Sequence, residues 1–344
     1  MMELDEFLTE WHSSSPFLTV HTSGSTGQPK PIVVEKRRME ASARLTCCFL
    51  RLQPADTALL CLPLNYIAGK MMVVRTVVGQ LRLVAVPPDG HPMHHISEIP
   101  DFAAMVPMQV YNSLHVSEEC EKLKKVRHLI IGGGAVDEDM RSALRGFPHC
   151  VWSTYGMTET LSHIALCPLT EAAERHAGYA IGNSPGYAKD CWYAPFPSVN
   201  LSLSQEGCLI IHAPEVCGLP LQTNDRAEID PQTGYFRILG RKDNVICSGG
   251  IKIQIEEVER LLRRTLPVPF MITKRPHPKF GEEVVLLIDT PMPLPRLEEN
   301  FKNLPRYWRP HAIVTVPRLP LTETGKPARA LAEQWAATGE PVCE

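Results

Sequence analysis

The 344-residue sequence contains no apolar run approaching the ~18 residues needed to cross a bilayer, which predicts no membrane insertion. It also lacks a basic block. Its 35 Lys and Arg against 38 Asp and Glu leave a net charge of −3, which argues against nucleic acid as the principal partner. The acidic start, Met1-Met2-Glu3-Leu4-Asp5-Glu6, has neither the basic nor the apolar stretch of a secretory leader. Eleven cysteines contain no C-x-x-C pair, so neither a zinc site of that spacing nor a disulfide framework is expected. A reducing, cytoplasmic setting is the expectation. His91, His94 and His95 sit in a Pro-rich turn without a matching ligand cluster, and no metal is expected there.

What is present is an ordinary globular composition, 44% hydrophobic and 21% charged, in a chain long enough for two or three domains. One stretch stands out: His21-Thr22-Ser23-Gly24-Ser25-Thr26-Gly27-Gln28-Pro29-Lys30. Backbone N–H groups of such a loop can turn inward to hold an anion, with hydroxyls and a lysine adding donors and charge. It is not a Walker A loop, because Pro29 stands where that motif needs glycine and no Ser or Thr follows Lys30. A flexible Ser/Gly linker is the alternative.

The chain then alternates apolar runs with amphipathic segments. Helices are predicted over 35–52, 137–147 and from Pro107 to about 114, and strands over 57–62, 81–86, 102–106, 126–131 and 150–153. This is an α/β pattern. At the carboxyl ends of the last two strands lie Gly132-Gly133-Gly134-Ala135 and Thr154-Tyr155-Gly156-Met157-Thr158-Glu159. The glycines let a ligand approach the backbone, though no GxGxxG follows strand 126–131, which excludes a Rossmann fingerprint there. From about Pro168 short strands and turns take over, including 207–213 and a hairpin of 227–230 with 235–239. The polar stretch Gly240-Arg241-Lys242-Asp243-Asn244 precedes a last α+β segment. It has helices at 256–264, 297–302 and 328–337, strands at 270–274 and 284–289, and the loop Pro320-Leu321-Thr322-Glu323-Thr324-Gly325-Lys326.

Five motifs in this order, Thr22–Lys30, Tyr155–Glu159, Asp225, Gly240–Asp243 and Gly325-Lys326, make the chain resemble the adenylate-forming superfamily of acyl- and aryl-CoA synthetases and carrier-loading adenylation domains. The resemblance runs from about residue 20 to residue 335. It implies an α/β fold: a large N-terminal ATP- and acid-binding domain over 1–240 with a β-rich distal part, and a small mobile α+β lid over 241–344, hinged near Asp243. It implies ATP and Mg²⁺, and CoA as co-substrate. A carboxylate attacks the α-phosphorus of ATP, and a thiol then displaces AMP.

Residue by residue, the resemblance gives Thr22, Ser23, Gly24, Ser25, Thr26, Gly27 and Lys30 the β- and γ-phosphates. Gly133, Gly134, Ala135, Thr154, Tyr155 and Gly156 line the nucleotide, with Tyr155 stacking on adenine. Thr158 donates to the α-phosphate, Glu159 holds Mg²⁺, and Asp225 and Arg241 hold the ribose. Lys326 is the catalytic lysine, and Ser248-Gly249-Gly250 approach the CoA arm. Asn224 stands where relatives have glycine before the aspartate, and its tolerance of positive φ is expected to preserve the turn.

The segment Leu62–Arg75, with Gly132–Ala135, looks most like the o-succinylbenzoate–CoA ligases of menaquinone biosynthesis. That substrate carries two carboxylates, one activated and one needing a cation. Arg75 is the implied clamp, Lys70 a second candidate, and Tyr66, Gly132 and Ser153 complete the acid pocket. From spacing alone, Arg75 reads better as a snorkelling arginine on a half-exposed helix. Relatives place a much longer segment ahead of the phosphate loop than the 21 residues found here, which leaves pocket walls to be completed, a homodimer being one way. An aryl-acid adenylating enzyme that loads a carrier protein and a non-catalytic nucleotide-binding module stand as alternatives.

Overall fold

Four sheets carry the fold in the computed structural model, which describes residues 2–21, 31–178, 191–289, 299–322 and 326–338. The largest has seven strands in the spatial order Arg82–Ala85, Thr57–Leu60, Phe102–Met105, His128–Ile131, Cys150–Gly156, His163–Pro168 and Ala194–Pro195. The first five run parallel, His163–Pro168 pairs antiparallel with Cys150–Gly156, and Ala194–Pro195 pairs antiparallel with His163–Pro168. Thr57–Leu60, Phe102–Met105 and His128–Ile131 are buried at every position, as expected for parallel strands covered on both faces. Helix Lys36–Leu50 packs on helix Ile67–Gly79 against this sheet. Both helices close on a residue in the left-handed region, Arg51 and Gln80. Helix Glu138–Leu144 starts where Asp137, as its N-cap, accepts the Met140 N–H at 2.9 Å.

Cys150–Gly156 continues three residues past the predicted strand end because its second half pairs with His163–Pro168, a partner that no local pattern announces. Asn200–Leu203, Cys208–His212, Leu221–Ile229 and Phe236–Arg241 form an antiparallel sheet, whose last pair contains the predicted hairpin. Strands Phe17–His21 and Pro31–Glu35 pair with His21 opposite Pro31, so the two ends of the segment 22–30 are held side by side. That segment, with Thr22, Ser23, Gly24, Ser25, Thr26, Gly27 and Lys30, lies outside the described residues.

In the C-terminal sheet, Gly281–Ile288 lies between Phe270–His277 and Ala312–Thr315 and touches Val245–Ser248, itself paired with Ile251–Gln254. Alternation along Gly281–Ile288 splits the core. Val284, Leu286 and Ile288 join Ile246, Val258 and Leu262, while Val285 and Leu287 join Met271, Val314, Ala332 and Ala336. Helix Ile255–Leu262 covers the first face and Arg329–Thr338 the second. Of the predicted helix 297–302, 297 and 298 lie outside the described residues; Glu299 and Asn300 are helical, and the 3₁₀ turn Phe301–Asn303 follows them. Pro305 disfavours helical backbone at Leu304, which turns extended.

The cysteine expectation needs correction. Cys167 and Cys191 form a disulfide, Cα atoms 6.3 Å apart. Cys167 lies on the antiparallel strand His163–Pro168 and Cys191 just ahead of its partner Ala194–Pro195, so sheet pairing and not a sequence motif brings them together.

Candidate active site

His128–Ile131 and Cys150–Gly156 are adjacent parallel strands, so Gly132–Ala135 and Thr154-Tyr155-Gly156 emerge side by side at their carboxyl ends, where α/β sheets bind ligands. Gly132 donates its N–H to the Met105 carbonyl at 3.1 Å. A Cβ there would fall 2.5 Å from Thr154 Oγ1, the hydroxyl that donates to the Ile131 carbonyl at 3.2 Å. Gly133 adopts φ +81°, a conformation side chains strain to reach, and a Cβ on it would lie 4.0 Å from Lys326 Cε. The lysine of the C-terminal segment thus reaches the same strand end as the glycine run.

Asp225 is the hub of the polar side. Tyr155 donates its phenol to Asp225 Oδ2 at 2.7 Å and Arg241 donates from Nη1 to Oδ1 at 3.1 Å. Sheet register delivers this, because Asp225 and Arg241 face each other across Leu221–Ile229 and Phe236–Arg241. A carboxylate has lone pairs beyond those two bonds, so it can still accept from a ligand hydroxyl. Burial, then the Asp225 charge, push the Tyr155 phenol well above its ordinary range, which keeps it a donor. The Tyr155 ring meets Phe236 edge-on at 5.1 Å and Tyr193 at 5.9 Å. Burial holds the Lys326 ammonium below the usual lysine value; the Arg241 charge pushes the same way and Asp225 opposes it.

Asp243 accepts from Arg241 Nη2 at 3.2 Å and from Asn224 Nδ2 at 2.9 Å. This corrects the expectation for Asn224. It sits inside strand Leu221–Ile229 and is not among the residues of positive φ, so it supplies its side-chain amide instead of a special backbone. Sequence reasoning missed Gln254, which donates to the carbonyls of Arg241 (2.8 Å) and Asn244 (3.2 Å) and bridges the stretch around Asp243 to the last sheet. A Cβ at Gly240 would fall 2.7 Å from its Nε2. Thr158 is buried and Glu159 exposed on the 3₁₀ turn Thr158–Thr160. An accessible carboxylate suits a hydrated Mg²⁺, a hard cation that keeps several waters. Ser248-Gly249-Gly250 form the turn between Val245–Ser248 and Ile251–Gln254, where Gly249 donates to the Phe280 carbonyl at 2.8 Å.

On the acid side the structure separates residues that the sequence had grouped. Arg75 is 2% exposed at the centre of helix Ile67–Gly79, which removes the snorkelling reading. Its Nη2 donates to Ser162 Oγ, while Nε has no hydrogen-bond partner. Among the described residues no Asp or Glu pairs with it. Burial pushes its guanidinium down to about 10. His163 lies alongside, held well below its ordinary value by burial and the Arg75 charge. Its ring contacts Thr46 Oγ1 at 3.1 Å and Ser162 Oγ at 3.3 Å. These neighbours carry no spacing signal in the sequence.

Lys70 does not join Arg75. Five positions apart, the two residues point about 140° away from each other around the helix. Lys70 donates to the Thr19 carbonyl at 3.1 Å and lies 5.4 Å above the Phe7 ring. With Tyr66, Asn65, His21 and Glu10 it lines a separate open cavity of about 480 Å³. Ser153, fully buried, shares a 3.0 Å hydrogen bond with Tyr193. His91 and His95 bond to Glu119 (2.9 Å) and Asp89 (2.7 Å).

A sequence profile for a family described as AMP-binding enzyme matches residues 5–216. Among curated relatives, the 2-succinylbenzoate–CoA ligase of Haemophilus influenzae is 24% identical over 99% of this chain and 75% of the ligase. A linear gramicidin synthase protein of Brevibacillus parabrevis is 25% identical over 98% of this chain, which spans only 5% of that protein. Among solved structures, the acyl-CoA synthetase (AMP-forming)/AMP-acid ligase II-like protein of Dyadobacter fermentans is 31% identical with a TM-score of 0.61, covering 93% of this chain and 90% of the other. No described helix is long and apolar enough to cross a membrane.

Proposed function

Because the chain belongs to the AMP-binding enzyme family, we propose that it is an AMP-forming acid–CoA ligase, and that its acid is the dicarboxylate o-succinylbenzoate, as in menaquinone biosynthesis. The observation that carries the reading is the meeting of Lys326 with Gly133 beside Asp225, itself gripped by Tyr155 and Arg241. Two anions must be brought together in such a reaction, so the site has to cancel charge as well as orient.

In this reading Asp225 accepts from the ribose hydroxyls, Tyr155 flanks the base, and Thr158 donates to the α-phosphate. Glu159 holds Mg²⁺, which neutralises the phosphates. Lys326 bridges the carboxylate and α-phosphate oxygens, and the 22–30 segment takes the outer phosphates. Residues 1–240 form the ATP- and acid-binding part. Residues 241–344 form a lid that turns near Asp243 and then offers Ser248-Gly249-Gly250 to CoA, in the cytoplasm where both co-substrates are abundant. The choice of a dicarboxylate rests on Arg75, a buried cation lacking an anionic partner among the described residues. The likeness to the gramicidin synthase supports a second reading, an adenylating enzyme whose acceptor is a carrier protein.

Pyrophosphate release from Mg-ATP with o-succinylbenzoate, with and without CoA, tests both. Acid-dependent release strengthened by CoA, with a thioester product, supports the ligase. Release with no thioester favours the carrier reading. Silence across a panel of aromatic and fatty acids, with ATP still bound, returns the chain to a non-catalytic nucleotide-binding module.

A further inference from the structure

At the other end of the large sheet, far from the nucleotide groups, lies a cluster that none of this chemistry uses. His128 is the first residue of strand His128–Ile131 and Cys150 the first of Cys150–Gly156, and the two face each other in register. His176, the last residue of helix Glu171–His176, closes over them with its ring 5.2 Å from that of His128. One ligand atom from each of the three lies within 4.8 Å of the others.

We propose that His128, Cys150 and His176 bind a transition-metal ion, with Zn²⁺ the best match. Two imidazoles and a thiolate are the soft and borderline donors that Zn²⁺ selects, with bonds of about 2.0–2.3 Å. Two further observations point to a ligand. His128 is 6% exposed, yet its Nδ1 has no hydrogen-bond partner, and an orphaned nitrogen at that depth is costly unless something coordinates it. His176 donates from Nε2 to the Phe49 carbonyl at 2.6 Å, the outer contact that fixes the tautomer of a metal-bound histidine and leaves Nδ1 as its ligand atom. The rings of Phe49 and Trp152 flank His176 at 5.8 and 5.9 Å. Asp56 and Asp101 pair with Arg127, the nearest cation in sequence to His128.

Binding exchanges the Cys150 S–H bond for an S–Zn bond and releases one proton to solvent. Three protein ligands leave the fourth tetrahedral position to water. Cys150 and Tyr155 are five residues apart on one strand, about 17 Å, so the ion braces the sheet and takes no part at the nucleotide.

The 344-residue protein, stripped with a chelator and titrated with Zn²⁺, is expected to take up one equivalent. Co²⁺ in place of Zn²⁺ is expected to show a thiolate charge-transfer band that Cys150→Ser abolishes. His176→Gln is expected to weaken Zn²⁺ binding at least ~10-fold, while His95→Gln, outside the cluster, leaves it unchanged. ATP binding by each variant checks that it is folded. Equal Zn²⁺ affinity in the parent, Cys150→Ser and His176→Gln overturns the proposal. Should a variant fail to fold, absence of the Co²⁺–thiolate band in the parent overturns it alone.

Discussion

Lys326, half-buried, and Arg75, fully buried, are cations in contrasting surroundings. Beside Lys326 the protein places an acid, Asp225, held by Tyr155 and Arg241, although burial and the Arg241 charge outweigh its pull on the ammonium. Around Arg75 no such acid stands among the described residues: hydroxyl, thioether and neutral imidazole surround a guanidinium that burial depresses to about 10. A charge with an acid beside it is partly answered before any ligand arrives. A charge left unanswered raises the energy of the empty protein, and an incoming carboxylate lowers it again. In the proposed reading, the nucleotide side is partly answered in advance and the acid side waits for its anion.

The contrast is broken most severely at Lys326. Lys326→Ala is expected to lose at least ~100-fold in acid-dependent pyrophosphate release, the scale of deleting one donor to a developing charge. Thioester formation from pre-made adenylate should be touched far less, and a mutant releasing pyrophosphate at the parent rate would remove Lys326 from the chemistry. Next comes Asp225→Asn, which keeps the shape but loses the charge that Arg241 and Tyr155 share. The KM for ATP should rise about 10- to 100-fold, as for charge-assisted hydrogen bonds worth about 1.5–3 kcal/mol.

Arg75→Met sharpens the comparison because its two effects have opposite signs. The KM for the dicarboxylate should rise at least ~10-fold more than that for a plain benzoate, while denaturant unfolding shows the empty protein stabilised by about 1–4 kcal/mol. Equal effects on the two acids would show that Arg75 does not read the second carboxylate. The pH profile gives a gentler probe. Because the folded-state value of Lys326 is lowered, its ammonium is fully present at low pH and is lost as pH rises through that lowered value. The alkaline limb of kcat/KM for ATP should fall below the ordinary lysine value near 10.5, and Lys326→Arg should move that limb upward. The smallest effect is expected from Lys70→Met. Its amine is turned toward Thr19 and Phe7, so the preference between the two acids should shift by no more than about twofold, and a larger change would return Lys70 to the clamp.

Much of this is legible in the chain itself. Buried parallel strands are apolar over most of their length, so Thr57–Leu60, Phe102–Met105 and His128–Ile131 read directly from composition. Asp225, Arg241 and Lys326 are readable because each occurs inside a motif of fixed order. Local pattern could not show that Asn224 would spend its amide on Asp243, or that Cys167 would meet Cys191, since both are cross-strand events. Nor could it divide Lys70 from Arg75, which look alike as cations on one apolar helix until the packing of each helix face is known.

The amino-acid order by itself determined which groups this protein has for handling an anionic nucleotide and a carboxylate, because those groups recur at short, characteristic spacings. Tertiary structure decided which of them meet: the paired residues His128 and Cys150, the hub at Asp225 and the isolation of Arg75 are set by strand register and helix rotation, which bring together residues far apart in the chain.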